Sequence, residues 1–147
     1  YGDYLGGDFD YEKYMAKWVQ YFPLAETFTL AYRLDGQFIS GDAPFYDLSA
    51  LSLRGFPGGL YLDNNAITAQ VQGSWNFYRR WLGVLFGGGG RIAEKISDMG
   101  SKTTRWAGGV GVRYMLNEKQ RLAVGIDITY GGDRIEFYVQ IGDWLTR

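Results

Sequence analysis

The sequence predicts an all-β protein: an antiparallel transmembrane β-barrel, with about seven or eight strands in meander order, over residues 1–147. Three observations predict it. Apolar residues recur with period two over most of the chain, the signature of strands with one oily and one wet face. The alternating segments run to roughly ten residues, whereas globular strands average about five or six and membrane strands need about 9–11. The oily faces carry large β-branched and aromatic side chains, and the opposite faces carry Gly, Ala, Ser and Gln with scattered charges. A face meant for water is richer in Lys and Glu, so the oily faces are assigned to lipid and the small polar faces to the barrel interior.

The elements follow in order. Residues 8–22 read as extended with imperfect alternation, and Pro23-Leu24-Ala25 reads as a short turn. Phe28, Leu30, Tyr32 and Leu34 then alternate with Thr27, Thr29, Ala31 and Arg33. A long connection occupies about 41–65. From Ile67 to Phe77 the odd positions are apolar or glycine and the even ones polar. In the strand near 82–92, Leu82, Val84 and Phe86 are assigned to the oily face, and Gly83, Gly87 and Arg91 to the inner one. A second long connection covers about 94–103. Trp106, Gly108, Val110, Val112, Tyr114 and Leu116 share the next oily face, opposite Ala107, Gly109, Gly111 and Arg113. After a polar turn at 117–120, Leu122, Val124, Ile126, Ile128 and Tyr130 alternate with Arg121, Ala123, Gly125, Asp127 and Thr129. A turn at 131–134 leads to Ile135, Phe137, Val139 and Ile141, opposite Glu136, Tyr138, Gln140 and Gly142. Short turns on one side and longer loops on the other match the outer-membrane pattern.

Composition excludes several chemistries. The chain has no Cys and no His, so it holds no disulfide, no Cys/His zinc site and no Ser-His-Asp or Cys-His pair. Lys plus Arg is 15 against 16 Asp plus Glu, which lacks the basic excess of a nucleic-acid binder. No apolar run is long enough for a membrane helix. The first residue is Tyr1, which reads as a processed or truncated product. Aromatics make up 18%, and many, among them Tyr4, Trp18, Phe77, Tyr78, Trp81, Tyr114 and Trp144, fall near strand ends, as interface girdles do. Gly87-Gly88-Gly89-Gly90 lacks the Lys-Ser/Thr of a phosphate loop and marks instead a bend or a close approach of another element, here to the barrel lumen. Asp8, Asp10 and Asp63-Asn64-Asn65 complete no calcium loop and read as turn chemistry. No catalytic residue, metal or cofactor is assigned, and no enzyme activity is expected.

The long connection contains Leu53-Arg54-Gly55-Phe56, followed by Pro57-Gly58-Gly59, and five strands follow it. Here the chain resembles the C-terminal barrel half of the BamA/TamA superfamily of outer-membrane assembly and translocation proteins, the bacterial surface antigen family. That family carries an Arg-Gly-aromatic signature in a long loop folded into the lumen, again ahead of five strands. Gly7-Asp8-Phe9-Asp10-Tyr11 through Leu24 resembles its strand pair before the loop. Gly109–Tyr114 resembles its antepenultimate strand and Phe137–Gly142 its last strand. There are departures. The family's loop Arg bonds an Asp two strands on, whereas Val84-Leu85-Phe86-Gly87-Gly88 offers no carboxylate. Family chains commonly end on an aromatic residue, whereas Trp144 is followed by Leu145-Thr146-Arg147. The family's periplasmic POTRA modules are not in these residues, and its barrel is larger than seven strands.

The resemblance implies that Arg54 is a luminal latch: a guanidinium that keeps its charge, offers five donors and needs carboxylate or carbonyl partners. Asp127 and Glu136, on predicted inner faces, and Asp35 are the candidate partners. Gly55 would permit a sharp turn beside Arg54, and Phe56 would pack in the lumen. Arg33, Arg91, Arg113 and Arg121 are assigned to internal salt-bridge ladders or a selective pore. The implied function is insertion or translocation of polypeptides, or of lipid, at the bacterial outer membrane. The partners would be the bilayer, unfolded outer-membrane or secreted polypeptide clients, and a second chain or copy that closes the barrel. Open edges are not tolerated in lipid, so residues 1–6 as an eighth strand, a multi-chain barrel or a piece of a larger barrel are the ways to pair them. Two alternatives stand beside this: a non-transporting barrel acting as structural anchor or membrane domain of a secreted effector, and a soluble lipocalin-like lipid binder with its oily face inward.

Overall fold

The computed structural model describes residues 10–41, 43–56, 61–117 and 122–142. Tyr4, Asp8, Pro57–Gly59, Arg121, Trp144, the 118–120 turn segment and the proposed strand at 1–6 lie outside these residues. Among the described residues there are nine strands: β1 (Tyr11–Ala25), β2 (Phe28–Gly41), β3 (Ser49–Ala50), β4 (Leu62–Asp63), β5 (Asn65–Tyr78), β6 (Trp81–Ala93), β7 (Arg105–Asn117), β8 (Leu122–Gly131) and β9 (Arg134–Ile141). Seven of them form one antiparallel sheet in the order β1-β2-β5-β6-β7-β8-β9, the meander that the alternation predicts. Its first six connected strands span 10 to 15 residues, beyond the length of ordinary globular strands.

The sheet does not close into a barrel. β1 and β9 are its two edges. Each edge presents a row of backbone N–H and C=O groups that another chain segment can pair.

The turns follow local chemistry. Pro23 and Ala25 are not a turn, contrary to expectation: they pair with Thr29 and Phe28 inside the β1–β2 ladder, and the reversal falls at Glu26-Thr27. Proline lacks an N–H to donate, which an edge strand such as β1 tolerates. Between β8 and β9 the chain reverses on Gly132 and Asp133, both with φ near +60°, as a two-residue hairpin of the primed type requires.

The two faces differ sharply. On one, Val71, Leu85, Trp106, Val110, Ile126, Phe137 and Val139 are all half-exposed or more. On the other, Arg33, Thr68, Gln70, Gln72, Arg113, Asp127, Thr129 and Gln140 are buried. The protein therefore covers its polar face and bares its apolar one, the inverse of a water-soluble sandwich.

One strand has the parity opposite to that read from sequence. Val84 and Phe86 are buried on the polar face, whereas Leu85 is 66% exposed. Gly87 and Arg91 belong with Leu85, and Arg91 is corrected from the inner to the apolar face. The register explains this. Phe86 pairs with Gln72, and Gly87 with Val71. Paired residues share a face, and the β5 pattern is unambiguous where Val84-Leu85-Phe86 is not.

Candidate functional site

The connection between β2 and β5 folds back over the polar face. At its base, β3 and β4 pair Ser49 with Asp63 and Ala50 with Leu62, and the Leu51 N–H continues the ladder to the Tyr61 carbonyl at 3.1 Å. Beyond this stem Leu53-Arg54-Gly55-Phe56 makes a tight turn. The Phe56 N–H donates to the Leu53 carbonyl at 3.2 Å, and Gly55 takes φ +103°. Positive φ at the third turn position calls for glycine, and it leaves Arg54 at the exposed corner of the turn. Here that corner is pressed against the sheet.

Two features of the sheet admit the loop. Gly88 and Gly90 of β6 lie on the polar side, where a Cβ on Gly88 would stand 2.8 Å from Leu53 Cδ1 and one on Gly90 2.5 Å from Leu51 Cδ1. Gly131 is likewise overlain by Gly55, whose carbonyl oxygen would lie 2.9 Å from an added Cβ. The tetraglycine thus serves loop seating, but only half of it faces the loop: Gly87 and Gly89 face the other side. Leu51, Leu53, Phe56 and Ala107 make a small buried core beneath the loop. Phe56 meets Tyr61 edge to face at 5.5 Å, and the Arg105 guanidinium stacks 3.8 Å from the Tyr61 ring centroid.

Arg54 is 2% exposed. Its Nη1 donates to Asp127 Oδ2 at 3.3 Å and its Nη2 to Gln72 Oε1 at 2.9 Å. The guanidinium carbon sits 3.9 Å from the Phe86 ring centroid. Asp127, fully buried, is shared with Arg113, whose Nη2 reaches its two carboxylate oxygens at 2.8 and 3.1 Å and Gln140 Oε1 at 3.2 Å. β5, β6, β7, β8 and β9 each contribute one side chain. The Arg113 bonds are the shorter ones, so Asp127 is held primarily by β7 and secondarily by the loop. Among the described residues, two guanidiniums share this one carboxylate, and the amide oxygens of Gln72 and Gln140 and the face of Phe86 help to offset the second positive charge.

The other candidate partners lie elsewhere. Asp35 binds Arg33 on its own strand, Oδ2 to Nε at 2.5 Å and Oδ1 to Nη2 at 3.0 Å. Residues two apart on a strand share a face, which explains the preference. Glu136 accepts from the Tyr138 hydroxyl by the same spacing. The loop gains further ties from Arg33 Nη2 to Ser52 Oγ at 3.3 Å and from Gln70 Nε2 to the Ser52 carbonyl at 2.9 Å. Nearer the loop's start, Asp47 accepts from the Tyr11 hydroxyl at 2.5 Å and from Lys13 Nζ at 3.0 Å. The tyrosine hydroxyl first, then Lys13, holds the Asp47 carboxyl below the usual carboxylate range, against a smaller opposing effect of burial.

Arg33 and Arg113 sit in side-chain ladders on the polar face. Gln72, Phe86 and Gln140 were not singled out by sequence. Gln72 and Gln140 occupy inward positions of clean alternation, and that was their only signal.

Comparison with protein-family models and with curated proteins finds no match to this chain.

Proposed function

We propose that this chain is a segment of an outer-membrane β-barrel of the BamA/TamA type, acting in insertion or translocation of polypeptides, or of lipid, at the bacterial outer membrane. The observation that carries the reading is the inverted sheet with its loop. An apolar face is left bare, and an Arg-Gly-Phe turn is seated on the buried polar face. Burying an aliphatic or aromatic side chain contributes about 1.5–3 kcal/mol. More than ten such side chains are at least two-fifths exposed on the apolar face. Left in water at half exposure, ten would forgo roughly 7–15 kcal/mol, the whole net stability of a typical domain. Lipid removes that cost. The aromatic side chains support the same placement. Phe22, Trp75, Phe77, Tyr78 and Trp81 cluster at the end of the sheet with the short turns, where Trp81 packs on Tyr114 at 5.1 Å, while Trp106 and Tyr130 stand toward the end with the long connections.

In this reading the loop is a plug and latch rather than a catalytic element. Arg54 on the loop joins Gln72, Arg113 and Asp127 of three separate strands at one point, so the loop fixes sheet curvature where the described residues form no second layer. Seven strands with two open edges favour a shared barrel, in which another chain or a further part of the same barrel pairs β1 and β9. Edge pairing that can open would supply the seam at which a client strand enters.

The test has two stages. The purified chain is floated with phospholipid vesicles after alkaline washing. Vesicles that retain it are then offered a urea-unfolded outer-membrane protein, whose folding is followed by gel mobility. Retention with faster client folding than in empty vesicles is expected. Recovery in the washed aqueous fraction would overturn the membrane reading, and retention without acceleration would overturn the insertion role.

A further inference from the structure

The apolar face is not uniformly convex. A cavity of about 1000 Å³ opens among Leu30, Ile67, Val71, Leu85 and Trp106, with Gly87 in its floor. The register creates it. Gly87 lies between Val71 of β5 and Gly108 of β7, and Gly89 between Ala69 and Trp106, so three side chains are missing from two adjacent rows of the face. The Trp106 ring covers Gly89, within 2.7 Å of where a Cβ would be. Gly87 remains open, since its Cβ would meet only the Ala107 carbonyl oxygen, at 3.8 Å.

Arg91 lines the same cavity four residues along β6, toward the long connections. Its Nε donates to Thr104 Oγ1 at 2.6 Å, and its Nη1 to the carbonyls of Met99 at 3.3 Å and Gly100 at 3.4 Å. These bonds hold the guanidinium at the rim. Among the described residues no carboxylate forms an ion pair with it. A fixed cation with no protein anion, at the mouth of an apolar trough, is complementary to an amphiphile with an anionic head.

Resting on the membrane reading above, we propose that this groove is a binding site for one anionic phospholipid, with an acyl chain over Gly87 and the phosphate on Arg91. Arg91 and Gly87 are roughly 13 Å apart along the strand at about 3.3 Å per residue. That runs from the headgroup level toward the bilayer centre, the direction an acyl chain takes. The guanidinium fork suits phosphate oxygens, and inorganic phosphate alone would leave the trough empty.

The full chain is purified in mild detergent and analysed by native mass spectrometry with phosphatidylglycerol, with diacylglycerol of the same acyl chains, or with inorganic phosphate. One retained phosphatidylglycerol per chain is expected, roughly tenfold tighter than diacylglycerol. Arg91→Gln removes that preference. Gly87→Leu fills the trough and reduces retention of both lipids, whereas Val139→Leu, also on the apolar face, changes neither. The Gly87 Cβ site is open, so this variant unfolds at the parent's denaturant midpoint. Equal retention of the two lipids, unchanged retention in Gly87→Leu, or displacement by inorganic phosphate alone would overturn the site. So would a dimer that Gly87→Leu dissociates, which would make the groove the seat of a second copy. A chain that floats with vesicles but retains no lipid refutes this site only, and a chain that stays in water refutes the membrane reading beneath it.

Discussion

Replacing Asp127 by Asn should destabilise the protein more than replacing Arg54 by Ala, because of the charge count in the buried cluster. Arg54→Ala removes a charge-assisted bond to Asp127, a bond to Gln72 and the stacking on Phe86. Hydrogen bonds to charged groups contribute about 1.5–3 kcal/mol and a cation over an aromatic face about 0.5–2. Against this, the variant relieves repulsion between two guanidiniums and leaves Asp127 balanced by Arg113 at 2.8 Å. A net loss of about 2–3 kcal/mol follows. Asp127→Asn keeps the shape and removes the carboxylate that both guanidiniums share, while Arg54 and Arg113 remain 2% and 5% exposed. Breaking a buried ion pair in this way costs about 3–5 kcal/mol. The double variant should fall short of the sum by about 0.5–3 kcal/mol, since both changes remove one interaction. Equilibrium urea unfolding in phospholipid vesicles, followed by tryptophan fluorescence, measures all three. An Arg54→Ala loss equal to or above that of Asp127→Asn, or additivity within about 0.5 kcal/mol, would refute the reasoning.

Other expectations concern the loop's seat. Gly55→Ala forces a side chain into φ +103° and within 2.9 Å of Ala107 Cβ, so the urea midpoint should fall by an amount worth at least about 1 kcal/mol. Gly88→Val puts side-chain atoms where Leu53 Cδ1 lies, and limited proteolysis is expected to cut within 51–56 in this variant and to spare that buried segment in the parent. The Asp47 tie has a defined pH window. Its carboxyl is held below the ordinary range when folded, so its contribution is complete above the unfolded value of about 4 and is lost as pH falls through the lower folded value. Hydrogen-exchange protection at 44–48, corrected for the intrinsic pH dependence of amide exchange, should be constant from neutral to about pH 4 and fall only below it, and Asp47→Asn should flatten the profile.

The meander was legible because alternation over ten or more residues leaves little freedom of period, and β2, β5, β7, β8 and β9 took the predicted faces. β6 did not. Three consecutive apolar residues followed by four glycines carry no polarity signal, and its parity was decided by hydrogen bonding to β5. The turn at Pro23 was misread because proline breaks a central strand but sits in an edge strand, and edge status is a property of the whole sheet. The Arg54–Asp127 proximity was anticipated from the luminal loop that the family resemblance implies together with the inward position of Asp127, whereas Asp35 and Glu136 were captured by neighbours two residues away. Gln72 and Phe86 were invisible to a search for carboxylates, since a neutral amide and a ring also hold a guanidinium. The bare sheet edges carry no sequence signature of what pairs them.

In the function proposed above, this chain lives in lipid and shares its barrel with another chain or copy. Light scattering on the detergent-solubilised particle, with bound detergent subtracted, tests it most directly. At least twice the 16.6 kDa of one chain, or a second polypeptide in the particle, is expected. A particle of one chain, or a protein that stays in water with no detergent present, would contradict it.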